Sequence, residues 1–303
     1  MANITLKQLR YFEALTQYGH FGHAADACGI SQPALSVQIR DLEADLGTIL
    51  FERGPRQVRP TSFGKEFSRH AKEILRAVDE LSELARASRD KLIGRLRIGV
   101  IPTIAPYLLP TLIGNLSRSY ADLDIHIRET VTSRLVQELH EGRIDTAIVA
   151  LPVSEPALTE VELFSENFVL VRPRDDAEKP VPDAEALQDM RLLLLEEGHC
   201  FRDQALSFCS VTPAAQRDGL DGSSLATLVQ MVGAGIGVTL IPEMAVPVET
   251  RAADVSVCRF ATREPSRTIG MIWRKTNPLS GELREIAEVV KCAGQTLAQA
   301  GTP

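Results

Sequence analysis

The chain has 303 residues, 44% hydrophobic and 24% charged, which excludes a disordered or fibrous protein and leaves room for two or three domains. Its net charge of −7 is uneven: residues 1–91 hold 13 Lys and Arg against 12 Asp and Glu, and residues 92–303 hold 20 against 28. No apolar stretch approaches the ~20 residues that span a bilayer, and the opening residues carry no basic patch followed by an apolar core, so a cytoplasmic protein with no membrane attachment is expected.

The neutral head begins with a capping box, Thr5 and Gln8, followed by Leu6, Leu9, Phe12 and Leu15 at helical spacing. Phe21, Ala24, Ala25 and Cys28 suggest a second helix closed by Gly29, with Cys28 as a buried structural thiol. Ser31 is the predicted N-cap of a third helix, with Pro33 in its first turn, Leu35, Ile39, Leu42 and Leu46 on one face, and Gly47 as its stop. The opposite face offers Gln32, Ser36, Val37 and Arg40 to base edges in a major groove. Residues 50–59 then read as a hairpin whose Arg53, Arg56 and Arg59 would contact phosphates. Any three-helix domain has such faces, so periodicity alone does not establish DNA binding.

The run Ser31-Gln32-Pro33-Ala34-Leu35-Ser36, with Leu42-Glu43 and Leu50-Phe51-Glu52-Arg53 after it, is more specific. It resembles the winged helix-turn-helix of LysR-type transcriptional regulators over about residues 4–64, which places Pro33 with the DNA-contacting residues named above. One departure is Pro60-Thr61-Ser62-Phe63-Gly64, where that family more often has Leu-Thr-x-Ala-Gly.

Phe63, Phe67, His70, Ile74, Ala77, Leu81 and Leu84 alternate spacings of four and three, the pattern of a helix pairing with its own copy; the alternative is a helix packed on its own domain. A dimer would present two reading helices to successive grooves, and the resemblance implies a homodimer or homotetramer. Gly94 marks the next boundary.

Beyond it, strand-like runs (96–100, 125–129, 146–150, 168–171, 192–195, 237–241, 268–273) alternate with helical ones, which implies parallel sheets covered by helices. Ligands of such sheets bind past the carboxyl ends of the strands, where Thr103 and Thr132 fall. Gly233-Ala234-Gly235-Ile236-Gly237 precedes a strand and follows a helix, the wrong order for a dinucleotide loop, and reads as a helix stop.

Five cysteines (Cys28, Cys200, Cys209, Cys258, Cys292) in a chain expected inside the cell argue against a structural disulfide framework, so any bridge should be transient or sensory. The body resembles the two-lobed effector domain of LysR-type regulators, itself similar to periplasmic binding proteins. The match narrows to the peroxide-sensing branch on Ile101-Pro102-Thr103, on Glu197-Gly198-His199-Cys200-Phe201-Arg202-Asp203-Gln204-Ala205 through Phe208-Cys209, and on Arg267-Thr268-Ile269-Gly270. The fold expected is therefore α/β, with a winged helix-turn-helix at 1–60, a linker helix at 61–92, and a regulatory domain at 93–303 made of two subdomains, 93–163 plus 268–303 and 164–267.

The resemblance implies that Cys200 is oxidised by hydrogen peroxide, that Cys209 resolves it as a reversible disulfide, and that Thr103, Thr132, His199 and Arg267 line the peroxide pocket. Cys258 matches a family cysteine outside the switch, and Cys292 has no counterpart. Implied partners are double-stranded promoter DNA at antioxidant genes, RNA polymerase, and a glutaredoxin- or thioredoxin-type reductant; no cofactor, metal or enzymatic activity is expected.

Acidity alone does not make such a thiol fast. A pKa drop from about 8.5 to about 6 raises the thiolate fraction roughly tenfold, but costs about tenfold in nucleophilicity. The remaining lever is a set of fixed donors on the departing oxygen, supplied by the two threonine hydroxyls, with Arg267 holding the thiolate. If residues 201–208 are helical, the two cysteines stand about 13 Å apart, beyond the roughly 7 Å a disulfide spans, so bridging them must unwind the helix. Competing readings are a regulator answering a small metabolite in the effector cleft, a thiol peroxidase, and a metal sensor using His199, Cys200 and Cys209; the last has poor ligand spacing.

Overall fold

The computed structural model describes residues 4–54, 57–87, 94–209, 221–260 and 264–300, and the chain forms two compact units, 1–85 and 86–303. The first holds α1 (Leu6–Tyr18), α2 (Phe21–Ala27), α3 (Gln32–Leu46), a hairpin of β1 (Phe51–Arg53) and β2 (Val58–Pro60), and α4 (Ser62–Ala87). Thr5 and Gln8 form the expected capping box: the Gln8 amide donates to Thr5 Oγ1 at 3.2 Å and the Thr5 amide to Gln8 Oε1 at 2.9 Å. Ser31 caps α3 with Pro33 in the first turn, and Gly47 ends it at a left-handed φ of 67°.

Leu9, Phe12 and Leu15 pack with Ala24, Ala25, Leu35, Ile39 and Leu42 under Leu50 and Phe51. Leu6, expected on that stripe, stands at the first position of α1 and is exposed; Gln8 is buried in its stead. Glu43 joins α3 to the hairpin, its Oε1 accepting from the amides of Leu50 and Phe51 at 2.8 and 3.2 Å. Along α4 the expected seam divides. Phe67 turns to the core, edge-on to Phe12 at 5.0 Å, while Phe63, Ile74 and Leu81 remain exposed at 43%, 48% and 66%.

The second unit runs β3 (Gly94–Val100), α5 (Ala105–Ser119), β4 (Leu123–Glu129), α6 (Thr132–His140), β5 (Thr146–Leu151), β6 (Leu158–Pro173), β7 (Leu192–Leu195), α7 (Cys200–Cys209), β8 (Asp221–Gly222), α8 (Leu225–Gly233), β9 (Val238–Pro242), α9 (Val246–Glu249), β10 (Val255–Cys258), β11 (Ser266–Arg274) and α10 (Ser280–Ala300). Among the described residues the strands join in the order β4-β3-β5-β11-β6-β9-β7-β8, with β10 also on β6. The expectation of parallel sheets holds only in part. β3 lies parallel to β4 and β5, and β7 to β8 and β9, but β6 runs against β9, β10 and β11. The reason is topological: β6 carries the chain from one hydrophobic core to a second, and β11 brings it back.

Those cores are distinct. One gathers Ile98, Val100, Leu108, Leu112, Ile148, Trp273 and Ile286; the other gathers Phe168, Leu170, Leu193, Phe201, Leu228 and Leu240. α8 stops at Gly233, with Gly235 at a φ of 75° before β9, as the glycine-rich run predicted. No helix among the described residues is long and apolar enough to cross a membrane.

Gly270 lies where β11 shifts register against β6, and a Cβ there would overlap Leu151 and press on the Val161 carbonyl oxygen at 2.9 Å. Gly270→Ala is expected to destabilise the second unit by about 1–3 kcal/mol, read by urea denaturation of the full chain.

Candidate functional site

The carboxyl ends of β3 and β4 face those of β7 and β8 across a cleft of about 410 Å³. Pro102, Thr103, Glu129 and Thr130 line it from the first pair, and Leu195, His199, Ser223 and Ser224 from the second. In the β3–β4 register Val100 pairs with Glu129, so Thr103 and Thr132 occupy equivalent places three residues further on. Thr103 is 3% exposed, and Thr132, the first residue of α6, has a buried Oγ1 without a hydrogen-bond partner among the described residues.

Arg267 on β11 stands directly opposite Glu166 on β6. Its Nε and Nη2 donate to Glu166 Oε2 at 2.9 and 2.8 Å, Nη1 donates to Thr103 Oγ1 at 2.8 Å, and Nη2 also donates to the Thr103 carbonyl at 3.1 Å. The other carboxylate oxygen of Glu166 accepts from the Met244 amide at 3.0 Å. The two side chains are 0% and 5% exposed, a buried pair with hydrogen bonds on both members. Phe168 and Phe201 cover the guanidinium, ring centroids 5.9 and 5.5 Å from its carbon. Arg267 was expected to hold the Cys200 thiolate. The cross-strand register gives it Glu166 instead, and its donors go to that carboxylate and to Thr103.

Cys200 and Cys209 are the first and last residues of α7. Nine helical steps of 1.5 Å put their α-carbons about 13 Å apart, beyond the reach of a disulfide, and Cys200 is a free thiol. Gly198, at a φ of 97°, turns the chain out of β7, after which His199 faces the cleft and Cys200, half-buried, packs against the first core. Phe201, Ala205 and Leu206 anchor the helix in the second core, and Arg202 reaches the Leu195 carbonyl at 2.7 Å. Of the four residues expected to line the peroxide pocket, Thr103 and His199 are in the cleft wall, whereas Thr132 and Arg267 are not, and neither is Cys200.

Burial lowers the His199 pKa from its ordinary 6.5, against a smaller opposing influence from Glu196. Nearby, Tyr107 donates to Glu249 Oε1 at 2.7 Å, and burial with that carboxylate pushes its phenol pKa up. Glu166, Tyr107 and Glu249 escaped the sequence reading because only the β6–β11 register and the fold of the cleft bring them to the site. Cys258, on β10, and Cys292, on α10, lie on other elements, and among the described residues no cluster of His, Cys, Asp and Glu suits a metal ion.

In the first unit Gln32, Pro33, Val37 and Arg40 are exposed along α3, and Ser36 is half-buried among them. β1 ends at Arg53, and Arg56 lies outside the described residues. Burial raises the thiol pKa of Cys28, which sits half-buried at the end of α2.

Two domain families match this architecture: the lysR-type bacterial regulatory helix-turn-helix over residues 6–65, and the LysR substrate-binding domain over residues 89–295. The chain belongs to the LysR family of bacterial regulators. Within it the chain belongs with OxyR: it is 39% identical over 291 residues to the Escherichia coli K12 DNA-binding transcriptional dual regulator OxyR, covering 95% of each chain. A full-length OxyR variant from Pseudomonas aeruginosa matches with a TM-score of 0.75 at 37% identity, over 95% of this chain and 98% of that one. A hydrogen-peroxide-bound OxyR variant from Corynebacterium glutamicum matches at 0.69 and 35%, over 98% and 94%.

A histidine whose pKa is lowered by folding stabilises the fold above the unfolded value near 6.5, and that contribution is lost as pH falls through the folded pKa. Between about pH 7 and about pH 5 the wild type should therefore lose more stability than His199→Gln, compared by urea denaturation at each pH.

Proposed function

We propose that the chain is a peroxide-responsive transcription regulator in which Cys200 is the oxidised thiol and Cys209 the resolving one. The observation that carries this reading is the pair of buried threonine hydroxyls at equivalent places past β3 and β4. Among the described residues, Thr103 Oγ1 accepts from Arg267 and has no acceptor for its own proton, and Thr132 Oγ1 has no partner. An unpaired buried hydroxyl costs about 1–3 kcal/mol, and a peroxide, with a donor and acceptors on each oxygen, would satisfy both.

In the proposed step the Cys200 thiolate attacks one peroxide oxygen. The sulfur–oxygen bond forms as the oxygen–oxygen bond breaks, and the electron pair leaves on the distal oxygen. That oxygen departs as water, taking the proton the thiol gave up. The sulfenic acid then condenses with the Cys209 thiol, releasing a second water and leaving a disulfide. Bridging across α7 requires its last turns to unwind, and that refolding is the proposed signal to the DNA-reading unit.

The proposed division is 1–60 for DNA reading, 61–92 for dimerisation through the exposed stripe Phe63, Ile74 and Leu81, and 93–303 for sensing, as a homodimer or homotetramer in the cytoplasm. Gln32, Pro33, Ser36, Val37 and Arg40 would enter the major groove of promoter DNA, with Arg53 and Arg56 on phosphates. RNA polymerase and a dithiol reductant complete the proposed partners, and the role is regulatory, not enzymatic.

The cleft favours one second reading, a small metabolite bound between Thr103, Glu129 and Ser224. Mass spectrometry of peroxide-treated protein separates the two: a Cys200–Cys209 disulfide together with a changed DNase footprint, both abolished in Cys200→Ser, is the expected result. Operator contacts that change with no disulfide would instead support the metabolite. Thr103→Val is expected to slow Cys200 oxidation at least about tenfold, near 1.4 kcal/mol of activation free energy, in stopped-flow measurements.

A further inference from the structure

We propose that Glu166 is a positioning residue for peroxide attack, acting through Arg267 to set the direction in which the Thr103 hydroxyl donates. This rests on the peroxide reading above.

The Thr103 hydroxyl has one proton and two acceptor lone pairs. Because Arg267 Nη1 donates into one of them at 2.8 Å, the hydroxyl proton is directed away from the guanidinium. Whether Nη1 delivers that bond depends on the guanidinium plane, and Glu166 fixes the plane. Nε and Nη2 both donate to Glu166 Oε2, and Oε1 is anchored to the Met244 amide, so the carboxylate cannot turn without breaking one set of bonds. The second Nη2 hydrogen is taken by the Thr103 carbonyl. Four of the five guanidinium hydrogens are thus assigned, and the fifth, on Nη1, has no partner among the described residues.

What emerges is a chain of control from Met244 N–H to Glu166, to Arg267, to the Thr103 hydroxyl, ending at a free proton where negative charge develops on the departing oxygen. Glu166 reaches no reacting atom itself. Its carboxylate also offsets the buried guanidinium charge, so the contribution to rate is orientation of a donor, which a thiol reaction without a departing peroxide oxygen would not need.

The test measures Cys200 oxidation by hydrogen peroxide in the full chain by stopped flow, alongside alkylation of the same thiol by iodoacetamide. Glu166→Gln is expected to slow peroxide oxidation about tenfold and leave alkylation unchanged. Combined with Thr103→Val it is expected to add nothing to the loss from Thr103→Val alone, since both act on one donor. Should Glu166→Gln fail to fold, Glu166→Asp, which keeps the charge but shortens the reach, is expected to give the same pattern. Losses that multiply, or alkylation slowed as much as oxidation, would overturn the proposal by reducing Glu166 to packing. An unchanged oxidation rate in a folded variant, beside a reactive wild type, overturns it too and leaves the peroxide reading standing. An inert wild type removes both.

Discussion

The rise of an α-helix governs this regulator. As long as α7 is wound from Cys200 to Cys209, its two terminal cysteines are about twice as far apart as a disulfide allows. The helix is held by the second core, where Phe201, Ala205 and Leu206 are buried, and by Arg202 on the Leu195 carbonyl and on Asp221. Burying a Phe or Leu side chain stabilises a fold by about 1.5–3 kcal/mol, so the wound state is not surrendered to thermal motion alone. In the proposed switch, oxidation would alter the balance because a sulfenic acid at Cys200 gains a covalent outlet that only an unwound segment can reach. The same geometry that keeps the two cysteines apart would then make the oxidised state a different structure.

α7 and the buried ion pair are mechanically joined. Phe201 follows Cys200 in the chain, and its ring covers Arg267 beside the Phe168 ring, the two centroids 4.7 Å apart. A guanidinium out of water depends on every neighbour that replaces hydration, and here those are Glu166, Thr103 and two aromatic faces. Unwinding that carries Phe201 away would strip one of these faces from the cation at the junction of the strands that pass between the two cores. A local change at one sulfur thus reaches β6 and β11, and no separate relay needs to be invoked.

Much of this was readable in the residues themselves. Ser31, Pro33 and Gly47 delimit α3 to within a residue, and the glycines after α8 were read correctly as a stop, because caps and left-handed positions are local requirements. The strand Leu192–Leu195 was bounded correctly, since four leucines in a row are buried on both faces. The first half of β6 was missed: Glu160, Glu162 and Glu166 interrupt the apolar pattern, and one of them is charged for a reason 101 residues away. β10 was missed as well, a four-residue edge strand with little alternation to detect. The roles of Cys200 and Cys209 came from family resemblance and not from spacing, as did those of His199 and Arg267, whereas Thr103 and Thr132 were also placed by the strand ends they follow. Glu166 belongs to no motif quoted for that resemblance, and register alone reveals it.

The unpaired hydroxyls also bear on what kind of ligand the site is built for. Thr103 lies in the cleft wall and the Thr132 hydroxyl is buried outside it, and neither hydroxyl proton has an acceptor among the described residues, so a ligand that meets both must reach past the cleft wall and be small enough to fit there. A metabolite filling about 410 Å³ would take its polar contacts from Thr103, Glu129, Ser223, Ser224 and His199, and would leave the Thr132 hydroxyl unsatisfied. A two-oxygen molecule has no use for the cleft's volume, and in the proposed reaction it would use both hydroxyls as donors. The cost of keeping those hydroxyls without partners falls on the reduced, folded state, and in the proposed reaction it would be recovered when charge appears on an oxygen between them. In the proposed reaction a donor held in advance, by a carboxylate that holds an arginine that holds the Thr103 hydroxyl, would raise the rate without requiring a more acidic sulfur. That would resolve the difficulty posed by the near-cancellation of thiolate fraction and nucleophilicity.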